Sequence, residues 1–328
     1  MRAAWDRSSD NSSAPGWAGQ PRPRCRSQQR WRLGHACAVG ADIQALRQQV
    51  RETRALTTKP FAVNLNLDFP QEERLDACLQ EGVPVISFFW RDPSSLVARA
   101  KSGGATVLHT VSTAEEARHA VGSGVDVIIA QGWEAGGHVR GTVATMALVP
   151  AVVDAVGPVP VFAAGGIADG RGLAAALALG ASGAWIGTRF LASSEVPIHP
   201  HYRERVLQAT EDDTVYLEEL FDIGWPNAPH RVLRNSTVAA WEAAGRPASG
   251  KRPGEGDVVA SSRSRGPIVR YRPATPAADA EGDINAMALY AGQSVALVHK
   301  RQPAGEIVRE IVTEAQAILL GLGRRLGS

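Results

Sequence analysis

Six short apolar runs recur along this chain at intervals of roughly 20–35 residues, and each is followed by a stretch with helical spacing. They are PFAVNLNL (60–67), VPVISFFW (83–90), ATVLHT (105–110), VDVIIA (125–130), VPVFAA (159–164) and SGAWIG (182–187). Strands that alternate with helices are joined by right-handed crossovers, which return every strand in the same direction. The pattern therefore predicts an α/β protein with a parallel sheet. No GxGxxG opens a helix behind a first strand with an acid about 20 residues on, which disfavours a dinucleotide-binding Rossmann unit. A (β/α)8 barrel accounts for the alternation, with two further strands expected upstream of residue 60.

The intervening helices carry their own start and stop signals. Asp92 precedes Pro93, a residue suited to a first helical turn, and Gly103 follows at the end of the same stretch. Ser112 to Glu115, or Thr113 to Glu116, has the spacing of a capping box. After residue 190 the rhythm breaks. Residues 197–285 are rich in Pro, Gly and charge and read as an insertion or lid. Residues 286–328 hold a closing segment in which Ile307, Val308, Ile311, Val312, Ala315, Ile318 and Leu319 share one helical stripe. The expected organisation is a barrel core over 41–196, the insertion over 197–285 and the C-terminal segment over 286–328.

Residues 1–40 differ from all of this. They hold seven Arg against two Asp, and three of the eight Trp, with no period of 2 or 3.6. Arg-, Pro- and Ser-rich, they lack the apolar stretch of a secretory signal, resemble a transit peptide only weakly, and otherwise read as a solvated, disordered tail. Elsewhere the bulk numbers are ordinary: 44% apolar and 21% charged residues fit a globular protein with a sizeable core. A formal net charge of +2 gives no case for nucleic acid or an anionic membrane, and no apolar run has the length of a membrane span. Cys25, Cys37 and Cys78 are odd in number and lack CxxC spacing, which suits a reducing cytoplasm better than a disulfide framework or a zinc site. No metal is expected: His199 and His201 have ligand-like spacing but no third ligand near them.

In a barrel, polar and glycine residues just past the strand ends build the site. Those positions here are Asn64, Asn66, Ser87, His109, Gln131, the stretch from Glu134 to His138, Gly165, Gly166, Gly187 and Thr188. Gly165 and Gly166 lead into a helix starting near Asp169, and Gly187, Thr188 and Arg189 end the next run. Each glycine loop is either a tight turn or one half of a phosphate cradle built from backbone N–H groups at a positive helix end. His138, in AQGWEAGGHVRG (130–141), is either a loop histidine satisfied by a carbonyl or an accessible imidazole for proton transfer.

AQGWEAGGHVRG, VFAAGGIADGRGLAAALALGASGAWIGTRFL and ALYAGQS together resemble the nitronate monooxygenase (2-nitropropane dioxygenase) family over roughly residues 41–325. These are FMN-dependent (β/α)8 barrels, in a superfamily with FMN enoyl-thioester and quinone reductases. The resemblance implies that Gly165, Gly166, Gly187, Thr188, Gly292, Gln293 and Ser294 hold the FMN phosphate. It implies that Asn64 and Gln131 face the flavin, that Gly136 and Gly137 give it clearance, and that His138 is the catalytic base or nitronate-binding group. The implied partners are a nitronate or nitroalkane and O2; oligomeric state is not legible. Family members open with a flavin-lining strand resembling PIIQAPMAG, and nothing like it stands in residues 1–40. A missing or altered first strand is thus expected, from a stretch read in the wrong frame or a wrong start. The alternatives are an NAD(P)H-dependent FMN reductase of the same fold and a defective flavin-binding remnant.

Overall fold

The computed structural model describes residues 43–263 and 265–326. All six apolar runs are strands: β1 (Ala62–Asn66), β2 (Val85–Phe89), β3 (Thr106–Val111), β4 (Val127–Gln131), β6 (Val161–Ala164) and β7 (Gly183–Trp185). They pair in parallel in chain order as one sheet. The two-residue strand β5 (Gly137–His138) leaves this sheet and belongs to another. Helices α1 (Ile43–Leu56), α2 (Glu72–Gln80), α3 (Ser94–Ser102), α4 (Ala114–Gly122), α5 (Thr145–Val156) and α6 (Gly170–Ala178) precede or follow the strands in alternation.

Strand parity shows why this sheet curls. Val63, Leu65, Ile86, Phe88, Val107, Val111, Ile128, Ala130, Val161, Ala163 and Ala184 share one core with the helices. The opposite parity forms a separate cluster of Val85, Leu108, Val127, Ile129, Phe162, Ala164 and Trp185, drawn from strands β2 to β7. A doubly wound sheet carries helices on both faces, whereas helices on one face with strand side chains packed on the other is the barrel solution. The chain has the (β/α)8 class of fold, and six consecutive strand–helix units of it lie in the described residues. Among those residues β1 and β7 are the edges of the sheet. Because 43–56 is helix α1, the two strands expected upstream of residue 60, and every expectation for residues 1–40, lie outside the described residues.

The helix signals act at or within one residue of where the sequence places them, Pro93 rather than Asp92 being the N-cap of α3. Thr113, not Ser112, caps α4: its hydroxyl accepts from Glu116 N at 3.1 Å, while Glu116 Oε2 accepts from Ser112 N at 2.7 Å. Asp92 Oδ1 accepts from Ser94 N at 3.0 Å at the start of α3.

Beyond the short helix α7 (Thr188–Leu191), the chain forms α8 (Pro200–Gln208), β8 (Thr214–Leu217), β9 (His230–Leu233), α9 (Ser236–Ala243), β10 (Val258–Ser262), β11 (Gly266–Val269) and β12 (Ala280–Gly282). His199 is spent on capping α8, its Nδ1 accepting from His201 N at 3.1 Å. The closing helix α10 (Ala304–Leu326) packs on α6 with its apolar stripe against the main core. The approach is close: a Cβ on Gly170 would stand 2.5 Å from Ala315 N. No helix among the described residues is long and apolar enough to cross a membrane.

Candidate active site

The loop after β4 is built by backbone contacts that leave little room for side chains. Gly132 N donates to Ala164 O at 2.8 Å, and Ala135 N donates back to Gly132 O at 3.1 Å. The Glu134 carboxylate accepts from Thr145 N at 2.9 Å and from Thr145 Oγ1 at 3.0 Å. It thereby caps α5, whose own N-cap residue, Ala144, has no side chain able to do so. Glu134 is thus a structural carboxylate. Gly136 permits a crossing of two chains, since a Cβ on it would lie 2.3 Å from Gly292 N. The resemblance implies flavin clearance at this position; in the structure the space a side chain would take is filled by Ala291 and Gly292.

The chain then turns into β5, which pairs antiparallel with β9, placing Gly137 opposite Arg231 and His138 opposite His230. Gln131, on the inward face of β4, donates from Nε2 to His138 O at 3.2 Å and ties the strand to the barrel mouth. Arg231 is 2% exposed, lies 4.7 Å from the Trp133 ring centroid, and donates to Trp133 O at 3.0 Å. Its guanidinium clamps the loop that presents His138.

The half-buried His138 imidazole sits among aromatic rings. Trp225 stacks on it with centroids 3.8 Å apart and planes 29° apart, and Trp90 presents an edge at 6.1 Å. Tyr290 lies at 5.3 Å and His230 at 5.6 Å. Trp90, at the end of β2, holds its indole there from a φ of 83°, a conformation that costs a bulky residue energy and that clusters at functional sites. His230 is fully buried, with Nδ1 2.9 Å from Ala228 O, and its Nε2 has no hydrogen-bond partner among the described residues. Burial lowers its pKa to about 4, so it is neutral at physiological pH.

His109, also expected at the site from its strand-end position, lies elsewhere in the structure. It shares parity with Val107 and Val111 and so faces the helix layer, not the barrel mouth. Burial, with Arg140 adding to it, lowers its pKa to about 4. Both imidazoles take up their protons near 6.5 in the unfolded chain and only near 4 in the folded one. Their contribution to stability is therefore complete above about pH 6.5 and is lost as pH falls toward 4. Urea midpoints of the wild type should fall between about pH 7.5 and about pH 5 by more than those of His109→Gln; equal shifts would show that His109 does not contribute.

The two glycine loops, the late ALYAGQS segment and the His138 loop meet at one place. Gly165 and Gly166 have φ of 101° and 71°, values at which a side chain is strained, and Gly166 faces the Glu134 side chain. Gly292 N donates to Thr188 Oγ1 at 2.9 Å, and Gln293 N donates to Glu134 O at 2.9 Å. Ser294 is buried beside them. Two expected groups, and Arg140 two residues from His138, are otherwise engaged. The N-terminus of α6 is capped by Asp169, which accepts from Arg171 N and Gly172 N, and by Glu314, which accepts from Gly170 N at 2.7 Å. Its N–H groups are taken by carboxylates. Arg189 turns away to Lys300 O and Gln302, and Arg140 pairs with Glu116 at 2.5 Å. Asn64, paired in register with Ser87, lies on the inward parity of β1, half-buried, and thus on the same side as Gln131.

The residues that sequence reasoning misses are Trp90, Trp225, His230, Arg231 and Tyr290. Tyr290 lies within ALYAGQS, a motif in which the resemblance assigns roles only to the glycine, glutamine and serine.

The chain resembles known proteins in sequence and in fold. The nitronate monooxygenase family profile matches residues 68–314. A relative from Mycobacterium tuberculosis, (3aS,4S,5R,7aS)-5-hydroxy-7a-methyl-1-oxo-octahydro-1H-indene-4-carboxyl-CoA dehydrogenase, is 38% identical over 234 residues, which span 70% of this chain and 64% of that protein. The structure of FabK from Thermotoga maritima superposes with a TM-score of 0.71 at 33% identity, covering 88% of this chain and 86% of that one. Nitroalkane oxidase from Streptomyces ansochromogenes superposes with a TM-score of 0.68 at 26% identity, covering 85% of this chain and 87% of that one. With the family profile matching residues 68–314, most of its length, this chain belongs to the nitronate monooxygenase family of oxidoreductases.

Proposed function

We propose that this protein is a cytoplasmic FMN-dependent enzyme that oxidises alkyl nitronates, and nitroalkanes after their deprotonation, with O2. The single observation that carries the reading is His138: one imidazole is presented on a clamped strand among aromatic rings, beside loops that leave backbone uncovered. FMN fits those loops. A Cβ built on Gly137 or Gly187 meets nothing within 4 Å, so open space lies in front of both. An anion there would meet backbone N–H groups of Gly165, Gly166, Gly187 and Thr188 rather than the end of α6, with Gly292, Gln293 and Ser294 closing one side. Asn64, Gln131 and Gly137 would lie toward the ring system. When bound, FMN supplies the one-electron acceptor for the nitronate, and O2 completes conversion to a carbonyl compound and nitrite.

The chain's own residues do the rest. His138 takes the proton from the carbon bearing the nitro group, and the imidazolium so formed stands beside the nitronate anion and stabilises it. Gln131 and the β5–β9 pairing fix the imidazole's backbone, so little orientation is lost when substrate binds. The aromatic rings keep water from the developing charge.

A second reading has its own support. The carboxyl-CoA dehydrogenase is 38% identical to this chain and FabK 33%, both above the nitroalkane oxidase at 26%. On that reading the same loops and His138 would serve an NAD(P)H-linked reaction on a thioester. Nitrite released from propionate 3-nitronate in air, by protein reconstituted with FMN, supports the first reading; oxidation of NADPH without nitrite supports the second.

A further inference from the structure

Neither reading gives the largest stacked ring at the site a role in choosing the substrate. Trp225 comes from the loop between β8 and β9, yet it stands flat against His138. Three contacts place it. Its Nε1 donates to Asp68 at the end of β1, its ring meets the edge of Phe69 at 5.6 Å, and it meets Trp90 at 5.4 Å. Asp68 is held in turn by Arg91. The loop itself is a tight turn, with Trp225 N donating to Asp222 O at 2.9 Å. Its base is anchored by a buried bidentate pair, Arg252 Nη1 to Asp222 Oδ1 at 2.6 Å and Arg252 Nη2 to Asp222 Oδ2 at 2.8 Å. Trp225 is therefore held from both sides of the barrel mouth and occupies one whole face of the imidazole.

We propose that Trp225 is the specificity-determining wall of this site, limiting His138 to short-chain nitronates and excluding substrates with a bulky group next to the reacting carbon. The proposal rests on the nitronate reading of the same site. A small substituent on the sp² nitronate carbon demands the least room beside the indole. A branched or aryl substituent, or the acyl chain of a thioester, has to occupy the volume the indole fills. The wall thus separates the two readings by size.

Two readouts test it, and the first needs neither flavin nor activity. Diethyl pyrocarbonate acylates accessible imidazoles, and mass spectrometry of the peptides reports each histidine separately. Trp225→Ala should raise the labelling rate of His138 by at least about tenfold, and Trp225→Phe, which keeps a stacked ring, should stay near the wild type. His119, with a side chain 62% exposed, serves as the reference for reagent activity. His230 and His109, 0% and 3% exposed, must stay unlabelled if the variant is folded; should Trp225→Ala fail that check, Trp225→Leu takes its place. The second readout is the ratio of kcat/KM for phenylnitromethane nitronate to that for ethylnitronate, which should rise at least about tenfold in Trp225→Ala. Equal His138 labelling in the two proteins overturns the wall, and so does faster labelling with an unchanged ratio. If neither protein consumes any nitronate, the nitronate reading fails, and the labelling arm alone decides whether Trp225 covers His138.

Discussion

His138→Asn is expected to lower kcat/KM for a neutral nitroalkane by about 10²–10⁴-fold, the range lost when a positioned general base is removed. Pre-formed nitronate should suffer far less, because its proton is already gone and only the interaction with the anion disappears. Asparagine keeps a polar group on β5 but takes no proton near neutral pH. Cross-strand pairing with His230 and the bond from Gln131 use His138 backbone, so the substitution leaves the loop in place. Nitrite release from nitroethane and from its nitronate, measured in parallel, separates the two roles. Equal losses on both substrates would make His138 an anion-binding group and not a base.

Arg252→Ala should destabilise the protein by about 3–5 kcal/mol, the cost of breaking a buried ion pair from one side. The Arg252 and Asp222 side chains are only 1% and 7% exposed, so removing the guanidinium leaves a largely buried carboxylate without its cation. The guanidinium also donates to Leu220 O at 3.0 Å and lies 5.3 Å from the Tyr271 ring centroid, and alanine can make neither interaction. Exchanging both partners at once, Arg252→Met with Asp222→Leu, should cost much less, since no unpaired charge remains. Urea denaturation of the two variants checks this. A loss below about 1 kcal/mol for Arg252→Ala would place the pair among surface-like bridges. Because Asp222 anchors the turn carrying Trp225, Arg252→Ala should also expose His138 to reagent.

The barrel is legible in the sequence because its signal is local and repeated. Every apolar run from 60–67 to 182–187 contains a strand, and parity within each run decides which face its side chains take. That same parity is available for His109, which stands between Val107 and Val111 on the helix-facing side; its position at a strand end points the other way and misleads. The His138 loop is legible for its glycines, but not for what fills the space beside them. A glycine needed for a ligand and one needed for a crossing backbone leave the same trace. Gly136 is the second kind, with the distant Gly292 on the chain that crosses. Asp169 marks the start of α6, yet nothing local foretells that Glu314 closes the same helix end from 144 residues on. Trp225, His230 and Arg231 come from the charged region 197–285. His230 and Arg231 reach the His138 strand through the pairing of β5 with β9, and Trp225 reaches His138 through the turn before β9 and its contacts with Asp68, Phe69 and Trp90. Site walls contributed by such segments have no sequence signature of their own.

On the proposed function, electrons leave a nitronate at this site. Protein reconstituted with FMN and mixed anaerobically with propionate 3-nitronate should lose its flavin absorbance, and admitting air should restore it with release of nitrite. NADPH alone should bleach the flavin slowly or not at all. Rapid bleaching by NADPH, with none by the nitronate, would contradict the account and assign the site to a reductase.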